Sequence, residues 1–88
     1  MNVWFTFKHD VRTEDGERYI CARVSARQPH MPDTGLWGLT EIDVWIAFPA
    51  GATMDDLREA ALAKAQEHAG HFAALPRADI TFESGGEI

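Results

Sequence analysis

The side chains of this chain that could hold a metal ion or perform catalysis are four histidines, one cysteine and nearby acids. His68 and His71 lie three residues apart, and further donors stand at His9, His30, Asp10 and Cys21. No paired-cysteine or HExxH spacing accompanies them. Gly70 predicts a helix break between the two close histidines. We therefore expect solvated or capping histidines, with no metal and no cofactor.

Catalysis has equally little support. Cys21 falls in the middle of a predicted strand, without a helix N-terminus to lower its pKa. Asp55 and Asp56 are adjacent acids of the kind that favour the start of a helix. The glycines do not form a phosphate-binding loop. The sequence predicts a non-enzymatic protein.

Binding is the stronger hypothesis, because several large apolar side chains stand where burial is incomplete. Trp37 lies between Gly35 and Gly38 in an apolar loop, and tryptophan is common at the centre of protein interfaces. Acidic residues would steer the chain to a basic partner. The predicted partner-binding residues are Trp37, Met31, Leu36, Trp4, Trp45, Glu41, Asp43, Asp55, Asp56 and Glu59. The alternative is that the loop folds over the sheet and covers Trp4 and Trp45.

A second candidate surface is basic and aromatic. Alternation along two strands places Trp4 on one sheet face with Lys8, Arg12, Tyr19, Arg23 and Arg27. Rings among arginines can bind single-stranded nucleic acid or a small ligand by stacking and phosphate contacts. The alternative is internal pairing, with Arg27 stacked on Trp4 and with Lys8 and Arg23 paired to Glu41 and Asp43.

Composition limits the classes of function. The chain has 88 residues and a net charge of −6, which suits one small domain and disfavours general binding to nucleic acid or anionic membranes. A single cysteine excludes an intrachain disulfide. The N-terminal residues do not predict a secretory signal, and no apolar run approaches the length of about 20 residues that a membrane span needs. We expect a protein of the cytoplasm, of a cell or of an infected host.

The elements that must position these residues begin with a hairpin. Asp15-Gly16 predicts a two-residue turn between strands at 2–12 and 18–27. In that register Val11 faces Ile20 and Arg12 faces Tyr19. Towards the far end Phe7 faces Val24, and the remaining predicted pairs are Phe5–Ala26, His9–Ala22, Trp4–Arg27, Thr6–Ser25, Lys8–Arg23 and Asp10–Cys21. Prolines and glycines make 28–38 a loop, and alternation resumes in a third strand at 39–48.

The second half of the chain predicts one helix and one more strand. Thr53 is the expected N-cap of a helix over 54–69, with Gly70 at its C-terminal end. Its apolar stripe, Met54, Leu57, Ala61, Ala65 and Ala69, suits close packing on a sheet. Phe72 and Leu75 are expected to add core contacts. A fourth strand is predicted over 78–83, in a domain covering residues 1–83 with a flexible tail at 84–88.

These elements predict an α+β fold, β-β-β-α-β, with a mainly antiparallel four-stranded sheet and one helix packed on one face. The order resembles the antitoxin domain of the HicB type, whose third strand is shorter, and residues 51–69 resemble that family's helix. Phage inhibitors of host defence, antitoxins and immunity proteins share this size and charge. We predict an acidic protein-binding module that inhibits or neutralises a larger protein complex, for which a nucleic-acid-handling complex is one candidate. The alternatives are the nucleic-acid or small-ligand binder and a structural homodimer joined through the tryptophan face.

Overall fold

A computed structural model describes residues 2–27, 35 and 38–82 of the chain. Three strands form one antiparallel sheet in the order β1-β2-β3: β1 is Val3–Glu14, β2 is Glu17–Arg27 and β3 is Leu39–Ala47. Helix α1, Met54–Ala73, packs on one face, and a short 3₁₀ helix follows at Arg77–Asp79. The predicted α+β class, with one helix on one face of an antiparallel sheet, is confirmed.

The Asp15-Gly16 turn forms as predicted. Both residues have positive φ, 52° and 80°, which the two-residue hairpin turn requires and which aspartate and glycine tolerate. Next to the turn the predicted pairs are present: Val11 lies opposite Ile20, and Arg12 lies opposite Tyr19.

Away from the turn the predicted register is wrong by two residues. The register shifts between Phe7 and Val11, so that Phe7 lies opposite Ala22 and not Val24. The other observed pairs are Phe5 with Val24, Thr6 with Arg23, Trp4 with Ser25 and Val3 with Ala26. The pairs predicted for Lys8, His9 and Asp10 are likewise absent from the observed register, because these residues form the extra length of a bulge in β1. An even shift keeps each side chain on its predicted face.

The face under α1 holds the core. Central residues of β2 and β3 pack against the buried stripe of α1, as the predicted alternation and alanine spacing require. The buried apolar residues of this layer are Ile20, Ala22, Val24, Val44, Ile46, Leu57, Ala61 and Ala65. Small alanines on α1 let the helix lie close to the branched side chains of the sheet. Met54, at the start of the predicted stripe, is exposed.

The helix begins as predicted and ends later. The Asp56 backbone N–H donates to Thr53 Oγ1 at 3.1 Å, and the Thr53 N–H donates to Asp56 Oδ2 at 3.2 Å, which completes a capping box. The prediction that Gly70 ends the helix is wrong. One glycine inside a helix costs about 1 kcal/mol, which does not stop an alanine-rich sequence. The helix continues through His71 and Phe72 to Ala73.

The segment after α1 differs from the predicted fourth strand. Pro76 begins a 3₁₀ turn over Arg77–Asp79, and residues 80–82 join no strand pairing among the described residues. Phe72 and Leu75 were predicted to add core contacts and are exposed. From position 66 to position 82 every residue is exposed. Position 83 and the predicted tail at 84–88 lie outside the described residues.

Candidate functional site

The face of the sheet that α1 leaves uncovered is called here the open face. It is formed by the even-numbered residues at the N-terminal end of β1 and the odd-numbered residues of β2 and β3. Its side chains include those of Trp4, Thr6 and Lys8 in β1, Tyr19, Cys21, Arg23, Ser25 and Arg27 in β2, and Leu39, Glu41, Asp43 and Trp45 in β3. The two sheet-borne tryptophans of the predicted binding surface are therefore on one face.

Both tryptophans combine a structural contact with a free surface. Trp4 lies opposite Ser25, and Trp45 lies opposite Cys21. The two small residues are almost completely buried, whereas Trp4 is 41% exposed and Trp45 is 37% exposed. Large rings therefore flank small residues of the central strand and still present much of their area to a partner. Partly exposed tryptophan on an open face is typical of interface anchors.

One carboxylate pairs with two cations in the middle of the open face. Asp43 accepts hydrogen bonds from Arg23 Nε at 2.8 Å and from Lys8 Nζ at 2.9 Å. These two bonds, Arg23 first, lower the pKa of Asp43 to about 2, and the same contact raises the pKa of Arg23. The internal pairing considered from the sequence is thus present for Lys8 and Arg23, with Asp43 as the shared partner.

The remaining basic and aromatic residues also make contacts within the sheet. The Arg12 guanidinium lies 4.7 Å from the ring centroid of Trp45 in a cation–π arrangement. The Tyr19 hydroxyl donates to Glu17 at 3.0 Å, and this bond raises the pKa of Tyr19. Arg12, Glu14, Tyr19 and Trp45 line one shallow hollow. The register shift places Trp4 beside Ser25, so the predicted Trp4–Arg27 pair does not form part of the strand register.

The predicted acidic partner surface is divided between two layers. Glu41 and Asp43 lie on the open face, whereas Asp55, Asp56 and Glu59 belong to α1 on the other side of the sheet. Asp56 is part of the capping box, and Asp55 pairs with Arg58 at 3.3 Å. One flat partner cannot contact both groups of acids.

Met31, Leu36 and Trp37 lie outside the described residues, so the predicted role of the loop stays a prediction. His68 and His71 lie three residues apart in one continuous helix, contrary to the predicted break. The described residues contain no group of three or more His, Cys, Asp or Glu side chains that could share a metal ion. Cys21 is buried in the middle of β2.

Sequence reasoning missed the bulge in β1 and the contact between Arg12 and Trp45. A signal for the bulge was present, since His9 interrupts the apolar alternation between Phe7 and Val11. No comparable signal existed for the cation–π pair, because Arg12 and Trp45 lie on β1 and β3 and meet only once β2 is placed between them.

No protein-family model, curated protein or solved structure matches this chain. Within the described residues, no helix combines the length and the hydrophobicity required to cross a bilayer.

Proposed function

We propose that this chain is a non-catalytic protein-binding module whose contact surface is the open face of the sheet. The observation that carries the proposal is the pair of tryptophans, Trp4 and Trp45, which remain about two-fifths exposed on a sheet face without a covering helix. Burying the remaining area of two indole rings would supply a substantial part of the free energy of a protein interface.

The charges of the open face favour a protein over a polyanion. Asp43 forms salt bridges with Lys8 and Arg23 at the centre of the face, and Arg12 stacks on Trp45. A phosphate backbone would have to compete with these contacts, and the chain as a whole carries a net charge of −6. A protein partner can meet the mixed charges with charges of its own while its apolar groups cover the tryptophans.

The biological setting that we propose is inhibition or neutralisation of a larger protein in the cytoplasm of a cell or of an infected host. Small acidic chains without catalytic machinery suit this role because their negative field speeds encounter with basic, nucleic-acid-handling targets. An antitoxin or a phage protein directed against host defence would belong to this class. The helix acids Asp55 and Glu59 would contribute to this long-range field and not to the contact itself.

The hollow between Arg12, Tyr19 and Trp45 favours a second candidate function. One nucleobase or another flat ligand could stack there between an aromatic ring and a guanidinium group. This candidate predicts binding that weakens steeply with salt and depends on Arg12, whereas protein binding depends mainly on the two tryptophans.

A capture experiment separates the two functions. Host lysate is divided into a nuclease-treated half and an untreated half, and the tagged chain is incubated with each. The captured proteins are identified by mass spectrometry. The partner is then purified, and its affinity is measured for the wild-type chain and for Trp4→Ala, Arg12→Ala and Ile80→Ala. Ile80 is an exposed apolar residue beyond α1 and serves as the matched control.

We expect a nuclease-resistant protein whose affinity falls at least about tenfold with Trp4→Ala and stays unchanged with Ile80→Ala, because truncation of an anchor tryptophan removes buried apolar contacts. Capture that disappears with nuclease, or a loss confined to Arg12→Ala, would reject the protein-binding proposal and support the stacking site.

A further inference from the structure

The two halves of helix α1 meet different surroundings. Leu57, Ala61 and Ala65 are buried against the sheet, whereas every residue from position 66 to the end of the helix at Ala73 is exposed. The apolar stripe does not stop at Ala65, since steps of three to four residues carry it on to Ala69 and Phe72. Phe72 is 77% exposed, and Leu75 after the helix is 49% exposed. Residues 66–75 are called here the overhang.

The overhang lies beyond the β3 side of the sheet. Near its start α1 places Met54 and Arg58 beside Val3 and Phe5 of β1. Near its end His68, Ala69 and Phe72 line a groove with the first half of β3, Leu39 to Asp43. The helix therefore crosses the sheet from β1 to β3 and continues past β3. From Ala65 to Ala73 it rises about 12 Å, enough to lie over two further strands at their spacing of about 4.8 Å.

The outer edge of β3 lies beneath the overhang and directs backbone groups away from the sheet. Among the described residues, no strand pairs with the outer edge of β3. The Phe48 N–H donates to the Arg18 carbonyl at 2.8 Å, so the even-numbered residues of β3 direct their backbone groups to β2. By alternation the N–H groups of Leu39, Glu41, Asp43, Trp45 and Ala47 point outward. An edge of this length is a template for another strand.

We propose that β3 pairs with β3 of a second copy of this chain, and that each overhang packs on the sheet of the other copy. Antiparallel pairing across a two-fold axis places both helices on the same side of one six-stranded sheet. Burial of the apolar residues of the overhang requires additional sheet surface, of the kind that already buries Ala61 and Ala65. The sheet of a second copy supplies that surface, because it continues the plane of the first sheet beneath the overhang and has its helix on the same side.

The acids of β3 select the register. Pairing that centres the two-fold axis on position 42 sets Glu41 opposite Asp43 of the other copy, and centring it on position 43 sets the two Asp43 side chains opposite each other. Like charges in opposing positions destabilise a sheet. Centring on Val44 avoids both and keeps seven residues, 41–47, in the ladder. In this arrangement Asp43 faces Trp45 of the second copy, and Ile42 faces Ile46.

The same register gives the overhang a place to pack. In this register the first half of β3 lies beside the second half of β3 in the other copy. The first half is also where α1 leaves the sheet. Phe72 then lies near the helix-side surface of Phe48 in that copy, which is only partly buried, whereas Ile46 beside it is already covered within its own copy. The two helices cross the β3–β3 pair side by side and do not overlap. Each helix passes over the first half of its own β3, and the two first halves lie at opposite ends of the pair.

Two substitutions test the two contacts by sedimentation velocity of the purified chain from micromolar to submillimolar concentration. Glu41→Pro removes an outward N–H that the β2–β3 ladder does not use, and Glu41→Ala is its control because it keeps the N–H. Phe72→Glu places a charge in the overhang. Val11→Glu is its control, since it places the same charge at an exposed apolar position of β1. Circular dichroism checks the fold of each variant.

We expect a dimer for the wild-type chain, Glu41→Ala and Val11→Glu. Glu41→Pro and Phe72→Glu should each raise the dimer dissociation constant at least about tenfold. Added salt should tighten the dimer, because each copy carries a net charge of −6. A chain that is monomeric at every concentration overturns the proposal. So does a dimer that persists in folded Phe72→Glu and dissociates in Trp4→Ala, which would place the contact on the open face.

Discussion

The two faces of this sheet use the same strands in different ways. Under α1, β2 contributes Ile20, Ala22 and Val24 to an apolar core without hydrogen-bonding side chains. On the open face its alternate residues are Cys21, Arg23 and Ser25, which lie among tryptophans and paired charges. The difference indicates that burial on the covered face supplies most of the folding free energy, while the open face contributes little stability and retains area for binding.

The largest expected effect is therefore on the covered face. Leu57→Ala should lower the free energy of unfolding by about 3 kcal/mol, because Leu57 is 5% exposed and its removal leaves a cavity between α1 and the sheet. Urea denaturation followed by circular dichroism measures the change. Met54→Ala, three residues earlier on the same helix but exposed, is the control and should change stability by less than about 1 kcal/mol. Equal losses in both variants would contradict the assignment of the core.

The helix start gives the second prediction. Thr53→Ala should lower the free energy of unfolding by about 1 kcal/mol, because it removes the side-chain acceptor of the Asp56 N–H. Thr53→Ser keeps the hydroxyl and should stay close to wild type. A loss of the same size in Thr53→Ser would mean that the methyl group, and not the cap, supports this end of α1.

The features that were predicted correctly depend on local chemistry. Asp15-Gly16 specifies its turn through the two positive φ angles, and Thr53 with Asp56 specifies the helix start through two hydrogen bonds within four residues. Alternation also assigned Trp4, Trp45, Lys8 and Arg23 to one face, because an even register shift does not change the side on which a residue lies.

The features that were missed depend on how the elements meet. The position of Gly70 suggested a helix end, but the cost of one glycine, about 1 kcal/mol, is too small to stop this alanine-rich helix. It continues to Ala73, although its burial against the sheet ends at Ala65. The alternation of Ile80 and Phe82 suggested a strand, but alternation does not specify a partner strand, and residues 80–82 join no strand pairing among the described residues. The Arg12–Trp45 contact spans three strands and could not be derived before their order was known.

The smallest expected effect is on the open face. Asp43→Asn should lower the free energy of unfolding at neutral pH by less than about 1 kcal/mol, since the pair with Arg23 and Lys8 is about two-fifths exposed and solvent screens it. Glu41→Gln, one pleat away on the same face, is the matched control and should show a smaller loss. Urea midpoints at low salt give the most sensitive comparison, because added salt weakens exposed ion pairs.

The contribution of Asp43 should also depend on pH in a defined direction. The folded pKa of Asp43 is about 2, below its ordinary value of 3.8, so the folded state favours the charged form. The stabilisation is therefore complete above about pH 4 and is lost as pH falls from about 4 to about 2. The difference in unfolding free energy between wild type and Asp43→Asn should be constant at higher pH and vanish over that interval. A difference that persists unchanged at pH 2 would mean that Asp43 stabilises the sheet through uncharged contacts, and that the open face relies less on ion pairing than its geometry indicates.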